Sequence, residues 1–332
     1  QPIFARSQFL WEACLDAGDV NTAFELLGAD AEQYAGVRAG IGTTLPCNTR
    51  GRSKTGLQKA SNIDGWRVAE LKQLPDMLLD RLCDVLRLVE ETGIWPAQLR
   101  TGMVSMLSKG EGLQPAALRP ITVMPVIYRL WAAHHVRDFM CWQEQWLNSD
   151  IHGFRQMTGC KDIFFSTALD IEEALLSGEG LCGCSLDFAK AFDLVPREVI
   201  FELAAQAGLP EHILRSLKGM YAQMSRRFRV GSLVGESFTA SNGILQGCPL
   251  SVCMLNLLMH VWTKIVAVEC DGHVVAKAYA DDASGRSCRV DSIFDVLRKT
   301  QEFSDLTGMR LNLRKCSHWA TCKKLRQKEA LP

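Results

Sequence analysis

Ala278-Tyr279-Ala280-Asp281-Asp282 decides how the rest of this sequence is read. A strand-like run over 274–280 leads into it and another over 283–290 leaves it, so the segment reads as a β-hairpin with Asp281-Asp282 at its tip. Successive strand residues face opposite ways, but a tight turn brings both carboxylates to one edge. Carboxylates that close repel by about 4 kcal/mol at an effective dielectric near 20, and a divalent cation relieves the repulsion. A solvated turn, where Asp is common, also accounts for the pair at this point.

A second acid lies far upstream. Leu181-Cys182-Gly183-Cys184-Ser185-Leu186-Asp187 reads as a buried strand ending in a carboxylate, and it runs into Phe188-Ala189-Lys190-Ala191-Phe192-Asp193. An acid at the end of a buried strand needs a partner, because an unpaired buried charge is costly. Oxygen ligands from separate segments are how Mg²⁺ is held, with substrate phosphates completing the octahedron. Two ions held this way activate an attacking hydroxyl and stabilise a leaving oxygen. Asp193, just before Leu194-Val195-Pro196, reads instead as a cap or brace of the helix that follows.

Around these carboxylates the sequence alternates helices with short strands. Helical spacing of Leu71, Leu74, Leu78, Leu82, Val85, Leu86 and Val89 predicts a helix over 66–92, interrupted by Pro75 and closed by Gly93. Strands are expected at 101–107 and 118–126, with a Gly-containing loop between them, followed by helices over 128–148 and 162–176. A helix starts near Pro196, a hairpin spans 228–234 and 236–240, and a buried helix spans 249–268. The last helix, 292–307, ends at Gly308, before a short strand and a basic tail. The pattern is α+β, with a sheet carrying helices on one face.

The chain has 332 residues, 37 Lys and Arg against 37 Asp and Glu, 47% hydrophobic and 22% charged residues. That composition excludes a disordered tail, a collagen-like repeat and a coiled coil. A charge of zero taken as one sum argues against nucleic acid, but its distribution does not. Residues 1–48 are acidic, whereas Arg50, Arg52, Lys54 and Lys59, then Arg215, Lys218, Arg226, Arg227 and Arg229, then seven basic residues over 306–328, form clusters without acids. The 13 cysteines offer no zinc spacing beyond Cys182-x-Cys184 and read as reduced thiols, with no disulfides. The apolar run 250–262 is too short to span a membrane and contains Asn256 and His260. The chain opens on Gln1 with no leader-like segment, as expected of a domain excerpt from an intracellular protein, nuclear or cytoplasmic.

Six motifs in order carry a resemblance: Leu118-Arg119-Pro120-Ile121; His152-Gly153-Phe154-Arg155; Asp187 to Asp193; Gly243-Ile244-Leu245-Gln246-Gly247-Cys248-Pro249-Leu250-Ser251; Tyr279-Ala280-Asp281-Asp282; and Gly308-Met309-Arg310-Leu311-Asn312-Leu313-Arg314-Lys315. Over roughly 61–321 the sequence resembles reverse transcriptases, most of all those of non-LTR (LINE-type) retrotransposons. The resemblance implies a right-hand polymerase with fingers and palm, an antiparallel palm sheet packed on helices, and a thumb largely absent. It divides the chain into an accessory or upstream segment (1–60), fingers with the start of the palm (61–180), a palm carrying the carboxylates (181–321) and a basic tail (322–332).

The implied activity is RNA-directed DNA polymerisation. Asp187, Asp281 and Asp282 match the metal-binding catalytic carboxylates, for Mg²⁺ or alternatively Mn²⁺, and Lys315 matches a late lysine that protonates pyrophosphate. Lys109 and Arg119 match triphosphate-neutralising fingers residues. Phe192 matches the aromatic that excludes a 2′-hydroxyl, and Gln246-Gly247 the loop at the incoming nucleotide and template. Arg155, Arg226, Arg227 and Arg229 are expected at nucleic acid. RNA template, DNA primer and deoxynucleoside triphosphate are the implied partners, with a flanking domain supplying a thumb and no membrane. Val252 stands where the family usually has Pro, and the residues after Arg155 also depart from its pattern. An inactive RNA-binding palm and an RNA-directed RNA polymerase are the alternative readings; the three carboxylates and Phe192, respectively, argue against them.

Overall fold

A computed structural model describes residues 15–23, 66, 68–108, 118–270 and 272–325. The expectations for most of 1–60, for Lys109 with its loop and for the end of the basic tail lie outside these residues. After helical residues at 15–16 and 20–23 come α1 (Val68–Leu71) and α2 (Asp76–Thr92), then strands β1 (Thr101–Ser108) and β2 (Leu118–Val123) and helices α3 (Val126–Gln143) and α4 (Cys160–Ser177). Strand β3 (Cys182–Asp187) precedes α5 (Ala191–Leu194), α6 (Arg197–Gln206), α7 (Glu211–Gln223) and the strands β4 (Ser225–Val230) and β5 (Leu233–Phe238). The chain continues with α8 (Ser251–Glu269), β6 (Val275–Tyr279), β7 (Asp282–Ser287), α9 (Val290–Thr307) and β8 (Ser317–Ala320).

Punctuation residues set most boundaries. Pro75 stands at the N-cap of α2 and separates it from α1, and Gly93 ends α2 in the left-handed conformation at φ 72°. Gly308 closes α9 in the same way. Two readings need correction. The hairpin turns at Gly231, φ 62°, with Ser232, so Gly235 lies inside β5 and β4 begins at Ser225. Helix α7 was not anticipated: its Ile213, Leu214, Leu217, Met220 and Tyr221 are buried at helical spacing.

The chain divides into two compact units, one comprising Gln1–Trp131 and Pro210–Ala240, the other Ala132–Leu209 and Ser241–Pro332. In the first, a four-stranded sheet runs β2-β1-β4-β5, with β1 parallel to β4 and the other pairs antiparallel. Helix α2 packs on α7. Trp95, fully buried, has its ring centroid 5.3 Å from those of both Tyr128, tilted against it, and Trp131, edge-on to it, and its indole N–H donates to the Ser216 carbonyl at 2.8 Å.

In the second unit the sheet runs β6-β7-β3-β8 and every pair is antiparallel. Helix α9 packs on β3 and β7, and α8 packs on β6, α6 and α9. By length and composition α8 could cross a membrane, but its apolar surface is spent in this core. Its Trp262 is fully buried and donates to Thr300 Oγ1 at 3.0 Å, so Trp262→Ala removes about 3–5 kcal/mol. The eleven described cysteines are free thiols, and burial pushes Cys184 and Cys253 up to about 12, which leaves them inert as nucleophiles.

Candidate active site

Three strands of the second unit end together. Asp187 is the last residue of β3, Asp282 the first of β7, and Tyr279 the last of β6; the register pairs Asp187 with Asp282 and Asp282 with Tyr279. Directly paired residues share a sheet face, with Cβ atoms roughly 5 Å apart. The far-separated acids are therefore neighbours on one edge. Asp281 lies in the two-residue turn, Ala280-Asp281, that closes β6 on β7, and it is half-buried.

That turn has a left-handed residue at its first position, Ala280 at φ 53°. The hairpin needs a positive φ there so that its twist matches the strands. Glycine would meet the need freely, whereas alanine costs roughly 1–2 kcal/mol. Buried Ala280 is held in this conformation by its surroundings, beginning with Gly153: a Cβ at that glycine would lie 2.5 Å from the Ala280 nitrogen.

Asp187 is bound from the other side by the segment after α9. Asn312 Nδ2 donates to Asp187 Oδ2 at 3.0 Å, Asn312 N–H donates to the Asp187 carbonyl at 2.8 Å, and Lys315 Nζ lies 3.5 Å from Asp187 Oδ1. Asn312 has a direct hold on the central carboxylate that sequence reasoning missed; its signal was only its place in the motif that ends at Lys315. Partial loss of water, then the charge of Asp187, hold the Asp282 carboxyl above its ordinary value, while Lys315 pulls it back.

Two carboxylates that oppose each other, with a third beside them, form a hard-oxygen donor set of the kind that suits a divalent cation. No group of three His, Cys, Asp or Glu side chains among the described residues converges tightly enough to enclose an ion by itself.

Next to this edge, the 242–248 loop is tied to the residues after Asp187. Ile244 N–H donates to the Phe192 carbonyl at 2.7 Å and Gly243 N–H to the Val195 carbonyl at 2.9 Å. The buried Arg197 donates to the Gly243 carbonyl at 2.6 Å and the Asn242 carbonyl at 2.7 Å. Phe192 and Gln246 are half-buried and Gly247 is exposed at φ 119°. Asp193 is not the side-chain cap of α6; its backbone abuts Gly243, which has no room for a Cβ.

Residues 108–328 match the reverse transcriptase (RNA-dependent DNA polymerase) family. The chain belongs to the reverse transcriptase family. It is similar to the retrovirus-related Pol polyprotein from the type-2 retrotransposable element R2DM of Drosophila melanogaster, 24% identical over 276 residues. It is also similar to the transposon TX1 uncharacterized 149 kDa protein of Xenopus laevis, 25% identical over 237 residues. These alignments cover 80% and 68% of this chain but only 25% and 18% of those proteins. Among solved structures, apo telomerase from Candida Tropicalis, truncated from its C-terminal domain, shares the fold: TM-score 0.52, 13% identity, 67% of this chain and 50% of that one. The polymerase fold and the non-LTR likeness therefore agree with the motif order, and reverse transcriptases generally use a divalent metal.

The remaining expected reverse transcriptase residues are distributed as follows. Arg119 is exposed on β2 of the first unit. Arg226, Arg227 and Arg229 lie on β4 of that unit, where a bulge between Arg227 and Arg229 interrupts the register with β5. Arg155, expected at nucleic acid, is turned inward. Its guanidinium donates to both Glu144 carboxylate oxygens, at 2.8 and 2.5 Å, and to the carbonyls of Asn148 and Ile151. These partners use its donors to brace the chain. Arg215, read as part of a basic cluster, is likewise engaged with Glu211 and the Glu91 carbonyl.

Proposed function

We propose that this chain is the polymerase core of a retrotransposon-type polyprotein, copying an RNA template by adding deoxynucleotides to a primer 3′-hydroxyl. The observation that carries the reading is the cross-strand pairing of Asp187 with Asp282, next to Asp281, inside the family-matched region. Asp187, Asp281 and Asp282 would hold Mg²⁺ or Mn²⁺. Bound there, the ion supplies Lewis acidity, acidifying the 3′-hydroxyl and offsetting triphosphate charge. Asn312 and Lys315 orient the Asp187 carboxylate, and Lys315, 65% exposed in its side chain, is free to swing and protonate the departing pyrophosphate. The new bond joins the primer oxygen to the α-phosphorus as the bond to pyrophosphate breaks.

Phe192, fixed through the Ile244 bond, sets the sugar pocket, with Gln246-Gly247 beside it at the nucleotide and template. Arg119 and Lys109 neutralise the triphosphate, and the β4 arginines meet the nucleic-acid backbone. The first unit serves as fingers and the second as palm. The test is primer extension on an RNA template with Mg²⁺. Wild-type protein extends with dNTPs, Asp281→Asn loses about 10³-fold or more, and Phe192→Ala admits rNTPs. Equal extension by Asp281→Asn would sink the reading.

A further inference from the structure

The 148–155 segment has no regular structure beyond an isolated bridge, yet it is bound on two sides. Toward β6, Ile151 bridges Ala278, His152 N–H donates to the Ala278 carbonyl at 2.8 Å, and Ala278 N–H donates to the Asp150 carbonyl at 3.0 Å. From behind, Asn256 Nδ2 on α8 donates to the Gly153 carbonyl at 3.0 Å and to Gln143 Oε1 at 3.2 Å, while Gln143 Nε2 reaches the Phe154 carbonyl at 3.5 Å. Both amide side chains are completely buried. A buried amide in an apolar helix is costly unless its polar atoms are used. Here the Asn256 amide nitrogen and both polar atoms of Gln143 hold the backbone that presses on the catalytic hairpin, while Asn256 Oδ1 is buried with no hydrogen-bond partner among the described residues, and Arg155 closes the segment by binding the carbonyls of Asn148 and Ile151.

The contact with the turn is backbone to backbone. A Cβ at Gly153 would lie 2.5 Å from the nitrogen and 3.3 Å from the Cα of Ala280, the left-handed residue that precedes Asp281. Neither neighbour is the flexible end of a side chain, so the turn itself would have to move. We propose that the 150–155 segment is a strut that sets the position of Asp281, with Gly153 and Asn256 as positioning residues; the inference rests on the polymerase reading for its catalytic consequence. The line of action runs from Asn256 through the Gly153 carbonyl to the Ala280 backbone and on to Asp281. Neither Asn256 nor Gly153 need touch substrate.

The test pairs kinetics with hydrogen exchange. Gly153→Ala lowers kcat for primer extension about a hundred-fold, the cost of roughly 1 Å of misplacement, with KM for dNTP and template-primer affinity changed less than about threefold. Asn256→Ser, a milder change that keeps a donor at shorter reach, lowers kcat about tenfold with the same split. Exchange over 276–284 accelerates about tenfold or more in both variants while that of β3 does not. A folded Gly153→Ala protein with wild-type kcat overturns the proposal, as does activity lost only in proportion to folded protein. Wild-type protein that extends no primer overturns the polymerase reading instead; exchange over 276–284 then decides the strut, faster in the variants supporting it and unchanged refuting it.

Discussion

Asp187 and Asp282 oppose each other across the β3–β7 ladder, a like-charge pair at the end of a sheet where most folds would place an apolar or complementary pair. Both the loss of water and the Asp187 charge raise the Asp282 carboxyl. An acid with a raised value in the folded chain gives stability that is whole at low pH and lost as pH rises through that value. At neutral pH the ionised pair therefore opposes folding. Asp282→Asn is expected to raise the thermal midpoint at pH 7 while abolishing primer extension, and Mg²⁺ is expected to raise the midpoint of wild type but not of the variant. A lower midpoint in Asp282→Asn would contradict this account.

This centre was legible because its elements are locally determined. The strand–turn–strand around Asp281-Asp282, the strand ending at Asp187 and the helices closed by Gly93 and Gly308 each have their own punctuation. What the sequence hid is what depends on distant partners. Arg155 reads as a basic contact until Glu144 and two carbonyls are found around it. Asn256 reads as a polar residue in a buried helix until the Gly153 carbonyl is seen beside it. Helix α7 was passed over because its basic residues drew the reading away from its apolar spacing, and the start of β4 was misplaced because residues 227–230 are all exposed and give no alternation.

The loop carrying Gln246 depends on Arg197. One planar guanidinium serves the carbonyls of both Asn242 and Gly243, a geometry that a lysine ammonium does not reproduce. Arg197→Met is expected to cost about 3 kcal/mol in urea unfolding, since the buried Gly243 carbonyl and the part-buried contact with Asn242 lose a charged donor. Arg197→Lys recovers less than half. In primer extension both raise KM for dNTP more than they lower kcat. Wild-type KM in Arg197→Met would separate this loop from nucleotide binding.

Acid sensitivity is expected from His260. Burial and then the charge of Lys264 lower it below its ordinary 6.5, and its Nδ1 accepts the Asn148 N–H at 3.1 Å, an acceptor that protonation would remove. His152 is lowered too, by burial and then Lys277. Groups that bind protons more readily unfolded leave stability whole above pH 6.5 and erode it as pH falls below. Urea midpoints are expected to drop between pH 6.5 and 5. His260→Gln, which offers an acceptor that does not titrate, flattens that slope without erasing it, because His152 remains. An unchanged slope would remove His260 from the account.

The β4 arginines give a prediction in salt. Arg227 and Arg229 are exposed on either side of Phe228, whose ring stacks on Phe238 at 4.9 Å and 17°. The stack stiffens the hairpin where the bulge disturbs its register, so the two guanidinium groups project from a braced strand. If each meets one phosphate, binding releases about one counterion per arginine. Replacing both by alanine is expected to weaken template-primer binding by a similar factor on every sequence tested. The plot of log affinity against log salt becomes shallower by about 2. Fluorescence anisotropy across a salt series measures both quantities. A change in sequence preference with an unaltered slope would assign these arginines to bases rather than phosphates, and no change in either would remove β4 from the nucleic-acid surface.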